Sequence, residues 1–217
     1  RRKPTEQTIQ EGGEIIPKVT GVDLSKRTTK TKPVVYIAKC PECGTKLIRT
    51  EGEASHYCPN ITGCAPQIRG RIEHFIQRKA MDIDSLGEQT IKQLYELGLV
   101  KSPADLFDLK KEDFLRLDKV KDKSAQNMMD GIQQSKSTAF EGVLFAIGIR
   151  YVGKTVAEKL ARHFKNIDAI MNASYDQLLE APEVGEKIAQ SMVEFSKNSI
   201  NKKEIERLKK AGLQFHV

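Results

Sequence analysis

The chain of 217 residues contains no tryptophan, and aromatic residues make up only 6% of it. Hydrophobic residues account for 39%, a low share that favours small helical modules over one large core. Long apolar runs are also missing, since the longest, residues 142–149, is far too short to cross a membrane. No signal peptide opens the sequence, which argues against secretion.

Catalytic motifs are missing as well. Thr155 after Gly153-Lys154 resembles the end of a Walker phosphate-binding loop, but the first glycine of that motif is absent. The sequence contains no histidine and carboxylate pair at metal-ligand spacing and no nucleophile motif. We therefore expect any chemistry to reside outside this sequence.

The charge balance is basic, with 36 Lys plus Arg against 29 Asp plus Glu and a formal net charge of +7. Such a balance suits a polyanionic partner, although charge alone is a weak signal. It gains weight here because several of the basic residues fall beside the repeated turns described next.

The second half of the chain repeats one nine-residue pattern four times. Each copy has an apolar residue, two variable residues, a second apolar residue, usually glycine, and then the start of a predicted helix. The copies are residues 83–91, 117–125, 149–157 and 181–189. Their fifth residues, at 87, 121, 153 and 185, are 34, 32 and 32 residues apart. This period indicates one supersecondary unit used four times, the helix-hairpin-helix.

The physics of this hairpin predicts phosphate binding. We expect its glycine to adopt backbone angles that other residues resist, so that a helix begins directly after a sharp turn. The first N–H groups of that helix lack intrahelical partners and lie at the positive end of the helix dipole. A DNA phosphate can bind there without any base contact. Lys121 replaces glycine in the second copy, which predicts a cost of about 1 kcal/mol and a distorted hairpin that binds phosphate less well.

The candidate DNA contacts are hairpin glycines and basic residues in or beside the turns. They are Gly87, Lys121, Lys123, Arg150, Gly153, Lys154, Gly185 and Lys187. The predicted partner is duplex DNA, bound independently of its sequence. A protein-binding helical scaffold is the alternative, but the Trp, Tyr and Pro pattern of tetratricopeptide repeats is missing.

Both interpretations predict the same buried face on the second helix of each unit. Its members are Ile91, Ala125, Ala157, Ala189, Leu94, Met128, Leu160 and Met192. Phe107 and Phe114 are also predicted to be core residues rather than platforms for stacking bases.

All four cysteines, Cys40, Cys43, Cys58 and Cys64, lie close together, with two, fourteen and five residues between them. A CxxC pair followed by a second pair predicts a tetrahedral zinc site that is structural, because four sulfur ligands leave no position for water. Two disulfides or a redox CxxC are the alternatives. His56 is a possible competing ligand, but four cysteines already fill the site.

The segments along the chain predict three regions. Residues 1–32 begin as a polar stretch, continue with strand-like residues 12–22 and end in a Lys/Thr-rich linker. Residues 33–68 form the zinc module, and residues 69–217 form the helical array. Within the array, residues 69–79 have helical periodicity, with Ile72, Phe75 and Ile76 on one face.

Four thiolates at this spacing, followed directly by four helix-hairpin-helix units, resemble the bacterial NAD-dependent DNA ligases over nearly the whole chain. Residues 12–19 resemble the last strands of that family's oligonucleotide-binding (OB) domain, and residues 205–213 resemble the edge that precedes its BRCT domain. The predicted fold is therefore mainly α: a tandem helix-hairpin-helix array, preceded by a small four-cysteine zinc finger and a truncated β remnant of the OB fold.

The resemblance implies a parent enzyme that seals nicks in DNA replication and repair through an adenylated lysine, with NAD and Mg²⁺. The Lys-x-Asp-Gly motif that carries this lysine does not occur in this sequence. We therefore expect a C-terminal fragment that holds Zn²⁺ and binds DNA but is inactive alone. It is further expected to be monomeric, cytoplasmic and nucleoid-associated, with no membrane contact. A non-enzymatic scaffold for DNA repair or recombination is the alternative.

Overall fold

The computed structural model describes residues 7–10, 18–23, 25, 35–52 and 54–217, and the chain divides into two compact units, Arg1–Ala38 and Lys39–Val217. In the first unit, strand β1 (Gln7–Gln10) pairs antiparallel with strand β2 (Lys18–Val22). Strand β2 lies within the residues that the sequence predicts to be strand-like, whereas β1 lies in the stretch for which the sequence predicts no strand. Residues 11–17 and the Lys/Thr-rich linker lie outside the described residues, and with them most of the proposed OB remnant.

The second unit begins with the cysteine-rich segment, which contains two isolated bridges instead of regular strands. Helix α1 (Ala65–Ile76) starts directly after Cys64, with Pro66 in its first turn. It therefore begins four residues before the predicted helix, because proline is well suited to the first turn of a helix. Since α1 crosses the expected boundary at residues 68 and 69, zinc module and helical array are continuous.

The remainder of the unit is helical, which confirms the mainly α fold class. The elements after α1 are α2 (Glu88–Glu96), a 3₁₀ helix (Pro103–Asp108), α3 (Lys111–Phe114), α4 (Asp122–Ser135), α5 (Phe140–Ala146), α6 (Lys154–Phe164), α7 (Ile167–Asn172), α8 (Tyr175–Leu179), α9 (Glu186–Lys197) and α10 (Ser199–Lys210). None of the helices in the described ranges combines the length and the apolarity needed to cross a membrane.

One hydrophobic core runs through the helical array, from Ile68 to Phe215. All eight residues of the predicted apolar face are buried in it, and so are Ile72, Phe75 and Ile76. Phe114 is fully buried, while Phe107 packs edge-on against Phe75 with ring centroids 6.1 Å apart. The periodicity of the sequence therefore located the core correctly.

Helix α10 closes the array by returning to the 3₁₀ helix, about one hundred residues earlier in the sequence. The Arg207 guanidinium lies 2.8 Å from a carboxylate oxygen of Asp105 and 2.6 Å from one of Asp108. The Glu204 carboxylate accepts a hydrogen bond of 2.8 Å from the Ala104 amide. These contacts join the last helix of the unit to the region that follows its first hairpin.

Candidate nucleic-acid interface and metal centre

The four hairpin turns share one hydrogen-bond framework. In each turn the N–H of the fourth residue donates to the carbonyl of the first, at 3.0, 3.4, 3.0 and 3.2 Å along the chain. The N–H of the ninth residue then donates to the carbonyl of the fifth, at 3.0, 2.9, 2.9 and 3.0 Å. The helices α2, α4, α6 and α9 each begin directly after that fifth residue. The repeat in the sequence is thus a repeat in structure.

The left-handed residue of the hairpin is not the glycine. Positive φ occurs at the third position of three turns, with 62° at Lys119, 66° at Tyr151 and 64° at Glu183. The fifth residues all have negative φ, −79° at Gly153 and −114° at Lys121 among them. A turn with positive φ at its third residue is of the type II kind, so the strained position lies two residues earlier than predicted. The predicted conformational cost at Lys121 is therefore wrong.

Open space lies in front of the backbone at the three hairpin glycines. A Cβ added at Gly87, Gly153 or Gly185 would meet no atom within 4 Å, so packing inside the protein does not require glycine there. The amides of these three exposed residues donate no hydrogen bond within residues 54–217, and no side chain caps the helices that they begin. Their negative φ values show that the backbone conformation does not require glycine at these positions either.

The second hairpin differs from the other three in this respect. The Lys121 amide donates a hydrogen bond of 3.0 Å to the Ser124 hydroxyl, which in turn donates one of 2.9 Å to the Lys121 carbonyl. The amide that would meet a phosphate is therefore already satisfied. Lys121 itself is exposed and offers its side-chain charge alone.

The position of the left-handed residue leads to a prediction about stability. Lys119→Gly is expected to raise the free energy of unfolding by up to about 1 kcal/mol, because glycine adopts positive φ without the steric cost of a side chain. Asp118→Gly is the matched control. Asp118 directly precedes Lys119 in the same turn and does not have positive φ, so its replacement by glycine should be destabilising. Urea unfolding of the two variants measures both, and a stabilised Asp118→Gly with an unchanged Lys119→Gly would contradict the assignment.

The hairpins differ as anion sites because the residue that begins the second helix does not carry the same charge in all of them. Glu88, Asp122 and Glu186 directly follow the fifth residue in the first, second and fourth hairpins, whereas Lys154 holds this place in the third. A carboxylate there competes with phosphate for the positive end of the dipole, and a lysine attracts it. The third hairpin is thus the most favourable anion site of the four.

The structure places the predicted DNA contacts in two groups. Seven of them lie exposed at the starts of the four second helices: Gly87, Lys121, Lys123, Gly153, Lys154, Gly185 and Lys187. Arg150 instead lies against two aromatic rings, 4.6 Å from the centroid of Tyr57 and 4.9 Å from that of Tyr151. Sequence reasoning did not single out Tyr57, because only the fold brings it to the third hairpin.

The four cysteine sulfurs converge on one point. All of them lie within 4.8 Å of one another, with 3.9 Å between Cys40 and Cys64 and 3.5 Å between Cys43 and Cys58. Zn–S bonds of about 2.3 Å in a tetrahedron place two sulfurs about 3.8 Å apart, so the cluster fits Zn²⁺. His56 is exposed and does not belong to the cluster.

Backbone turns aim the thiols inward. The Gly44 amide donates to the Cys40 carbonyl at 2.9 Å, and the Cys64 amide donates to the Asn60 carbonyl at 3.1 Å. Gly44 has a φ of 70°, which only glycine adopts freely. The first turn presents Cys40 and Cys43 and the second presents Cys64, while Cys58 directly follows the bridge between Ile48 and Tyr57. Four sulfur ligands are expected for a structural zinc site rather than a catalytic one.

The protein environment shifts the pKa values of Cys43, Cys58 and Cys64 in different directions. Hydrogen bonding by the hydroxyl and the backbone of Thr45 lowers the pKa of Cys43 to about 6. Burial raises the pKa of Cys58 and raises that of Cys64 to about 12. Metal binding requires thiolates, so the positive charge of Zn²⁺ supplies the stabilisation that the buried thiols lack.

Comparison with known families agrees with this geometry. Residues 78–134 match the SAM-like helix-hairpin-helix tandem, and residues 142–205 match the helix-hairpin-helix motif. This part of the chain thus belongs to the helix-hairpin-helix class. Residues 39–65 match the C4 zinc finger domain of NAD-dependent DNA ligases.

The relatives are DNA ligases. The chain is 57% identical over 209 residues to the DNA ligase of Flavobacterium psychrophilum, and 55% identical over 209 residues to that of Flavobacterium johnsoniae. It is 54% identical over 208 residues to the enzyme of Bacteroides fragilis. Each match covers 96% of this chain and 31% of the relative. The chain is therefore similar to a part of these DNA ligases that makes up 31% of their length, and its zinc finger segment matches that of NAD-dependent DNA ligases.

Proposed function

We propose that these 217 residues hold nicked duplex DNA by its backbone while other parts of the same ligase perform the adenylation and nick sealing. The observation that carries the proposal is the set of bare amides at Gly87, Gly153 and Gly185, in front of which the protein leaves open space. Phosphate is the ligand that such helix starts favour, and it is the same at every base pair. Binding is therefore independent of base sequence.

The four hairpins contribute unequally to phosphate binding. The third hairpin binds phosphate most strongly, because Lys154 begins its helix and no acidic residue lies in the first turn. The first and fourth hairpins contribute amides next to Glu88 and Glu186, and the fourth adds the charge of Lys187. The second contributes the side chains of Lys121 and Lys123. Together they contact phosphates of both strands across the minor groove.

The metal and the cofactors have separate places in this proposal. Cys40, Cys43, Cys58 and Cys64 hold Zn²⁺, which fixes the fold of residues 39–64 in front of α1. NAD and Mg²⁺ bind to parts of the ligase other than these residues. Holding the nick ends in line supplies the orientation that the chemical steps require. The protein acts as a monomer on the bacterial chromosome, in the cytoplasm.

The relatives favour a ligase over a non-enzymatic repair or recombination scaffold. All three relatives are DNA ligases, and the matched zinc finger is the C4 zinc finger domain of NAD-dependent DNA ligases. A protein-binding helical scaffold is less consistent with the exposed lysines and uncapped helix starts.

The test is the binding of the chain to nicked duplex DNA across a salt series. If three phosphates are neutralised, the association constant should fall roughly 40-fold between about 50 and about 200 mM salt, because each contact releases counterions. Two nicked duplexes of unrelated sequence should bind with the same affinity within about twofold. A binding constant that does not change with salt, or that depends on base sequence, would contradict the proposal.

A further inference from the structure

Arg150, the second residue of the third hairpin, contacts the zinc finger. Its guanidinium lies over the Tyr57 ring, 4.6 Å from the centroid, and its Nη1 donates a hydrogen bond of 2.8 Å to the Tyr57 hydroxyl. The same guanidinium lies 4.9 Å from the centroid of Tyr151, its neighbour in the turn. Arg150 is therefore held by tyrosines from two modules that are 93 residues apart in the sequence.

Tyr57 is fixed within the zinc finger. It precedes the ligand Cys58, and its backbone exchanges two hydrogen bonds with Ile48, at 2.9 and 3.0 Å. Its hydroxyl also lies 3.1 Å from the Thr50 hydroxyl. The position of the Tyr57 ring thus depends on the same short ladder that places a zinc ligand.

The backbone of Arg150 connects to the fourth hairpin. The Ser191 hydroxyl, on α9, donates a hydrogen bond of 2.9 Å to the Arg150 carbonyl. Gly153, with its bare amide, follows only three residues later. One residue therefore joins the zinc finger, the turn of the third hairpin and the second helix of the fourth.

We propose that Arg150 is a positioning residue, which locks the zinc finger to the third and fourth hairpins and so sets the direction in which the Gly153 and Gly185 amides meet DNA. The proposal rests on the proposed function, since it assigns a role within the same DNA-binding surface. It differs from the direct phosphate contact that the sequence predicts for Arg150. It also implies that loss of Zn²⁺ is transmitted to the third hairpin through Tyr57.

The chemistry of the contact favours this role. A guanidinium is planar and stacks on an aromatic ring while it donates a hydrogen bond at its edge, which a lysine ammonium cannot reproduce. One face of the guanidinium lies on the Tyr57 ring, while Arg150 as a whole remains exposed. Arg150 and Tyr57 should consequently act as a pair, whereas a phosphate contact would act alone.

A first experiment tests the contact without DNA. Because the chain contains no tryptophan, Tyr57→Trp creates a single fluorescent reporter, and tryptophan preserves the cation–π stacking. Replacing Arg150 by alanine in this background should uncover the indole and raise its quenching by acrylamide. Arg116→Ala is the matched control, since it removes an exposed arginine that pairs with Asp113. Equal quenching with and without Arg150 would overturn the proposed contact.

A second experiment tests the consequence for binding to nicked duplex, with zinc content measured for every variant. Tyr57→Ala and Arg150→Ala should each raise Kd by about 3- to 10-fold, and the double variant should be no worse than the single ones. Arg150→Lys should be as weak as Arg150→Ala although it keeps the charge, while Tyr57→Phe, which keeps the ring, should restore most of the affinity.

The alternative outcomes are distinct. Near wild-type binding by Arg150→Lys, together with unchanged binding by zinc-loaded Tyr57→Ala, would show a direct phosphate contact and overturn the positioning role. If the unmodified chain does not bind DNA with a steep salt dependence, the proposed function fails. The fluorescence experiment then still decides whether Arg150 contacts Tyr57.

Discussion

The double variant Gly153→Asp/Gly185→Asp is expected to bind nicked duplex DNA at least about 100-fold more weakly than the unmodified chain. Each substitution places a carboxylate in the open space in front of a bare amide, where we propose that phosphate binds. Two lost charge-assisted hydrogen bonds correspond to about 3–6 kcal/mol, and each 1.4 kcal/mol is a factor of about ten. The measurement is a fluorescence anisotropy titration at low salt.

The same variant should fold normally. Gly153 and Gly185 have φ of −79° and −93°, which aspartate adopts without strain, and the added Cβ meets no protein atom. Aspartate is also a good N-cap and its charge is favourable at the start of a helix, so the unfolding temperature should be unchanged or slightly higher. Loss of binding without loss of stability distinguishes a ligand site from a structural one.

A charge-matched control accompanies the single variants. Gly70 lies exposed on α1, and a Cβ there also meets no atom within 4 Å. Gly70→Asp therefore changes the net charge by the same amount as Gly153→Asp, at a distance from the hairpin turns in the sequence. It should weaken binding only slightly. Undiminished binding by the folded double variant would mean that the hairpins are scaffold and that DNA contacts the protein elsewhere.

Removal of the metal should have the largest effect on stability. The small core around the zinc site consists of Cys40, Cys58 and Cys64 with Cys43 and Leu47 packed against it, so little apolar surface remains to hold the segment without Zn²⁺. Structural zinc contributes about 10 kcal/mol or more to the folding of such modules. Chelation, or Cys64→Ser, is expected to unfold residues 39–64 and to release one zinc ion per chain.

The helical array should survive this loss. Its core is separate from the cysteine cluster, so far-UV circular dichroism should keep most of the helical signal, while residues 39–64 become sensitive to protease. His56→Ala is the control: the residue is exposed and lies two positions before a ligand, and the variant should keep its full zinc content. The four-cysteine site would be contradicted if the Cys64→Ser variant retained Zn²⁺ and the His56→Ala variant lost it.

The sequence predicted the repeat well because periodic burial is a local signal. Spacing alone located the buried faces of α2, α4, α6 and α9 and the convergence of the cysteines. It did not predict the backbone angles of the turn, because a hydrogen bond between the first and fourth residues is compatible with more than one turn type, and the first hairpin has this bond without positive φ at its third residue. The resulting strain falls on Lys119, Tyr151 and Glu183, and none of these residue types signals positive φ.

Two further features of the structure could not be predicted from local sequence patterns. Helix α1 begins at Ala65 because the preceding residue is both a zinc ligand and the N-cap, and cysteine is not among the residues that mark a helix start. The stacking of Arg150 on Tyr57 joins positions 93 residues apart, so the residues beside the hairpin could not predict it. In both cases residue type alone did not predict the observed structure.

The return of α10 to the 3₁₀ helix gives the repeats a property that open arrays do not have. In an open solenoid each unit contacts only its neighbours, stability accumulates unit by unit, and copies can be added at either end. Here Arg207 and Glu204 bind groups that lie 99 to 105 residues earlier, so the four hairpins form a closed set of fixed number. The fold thereby fixes the spacing of the hairpins, which the proposed binding to the regularly spaced phosphates of a duplex requires.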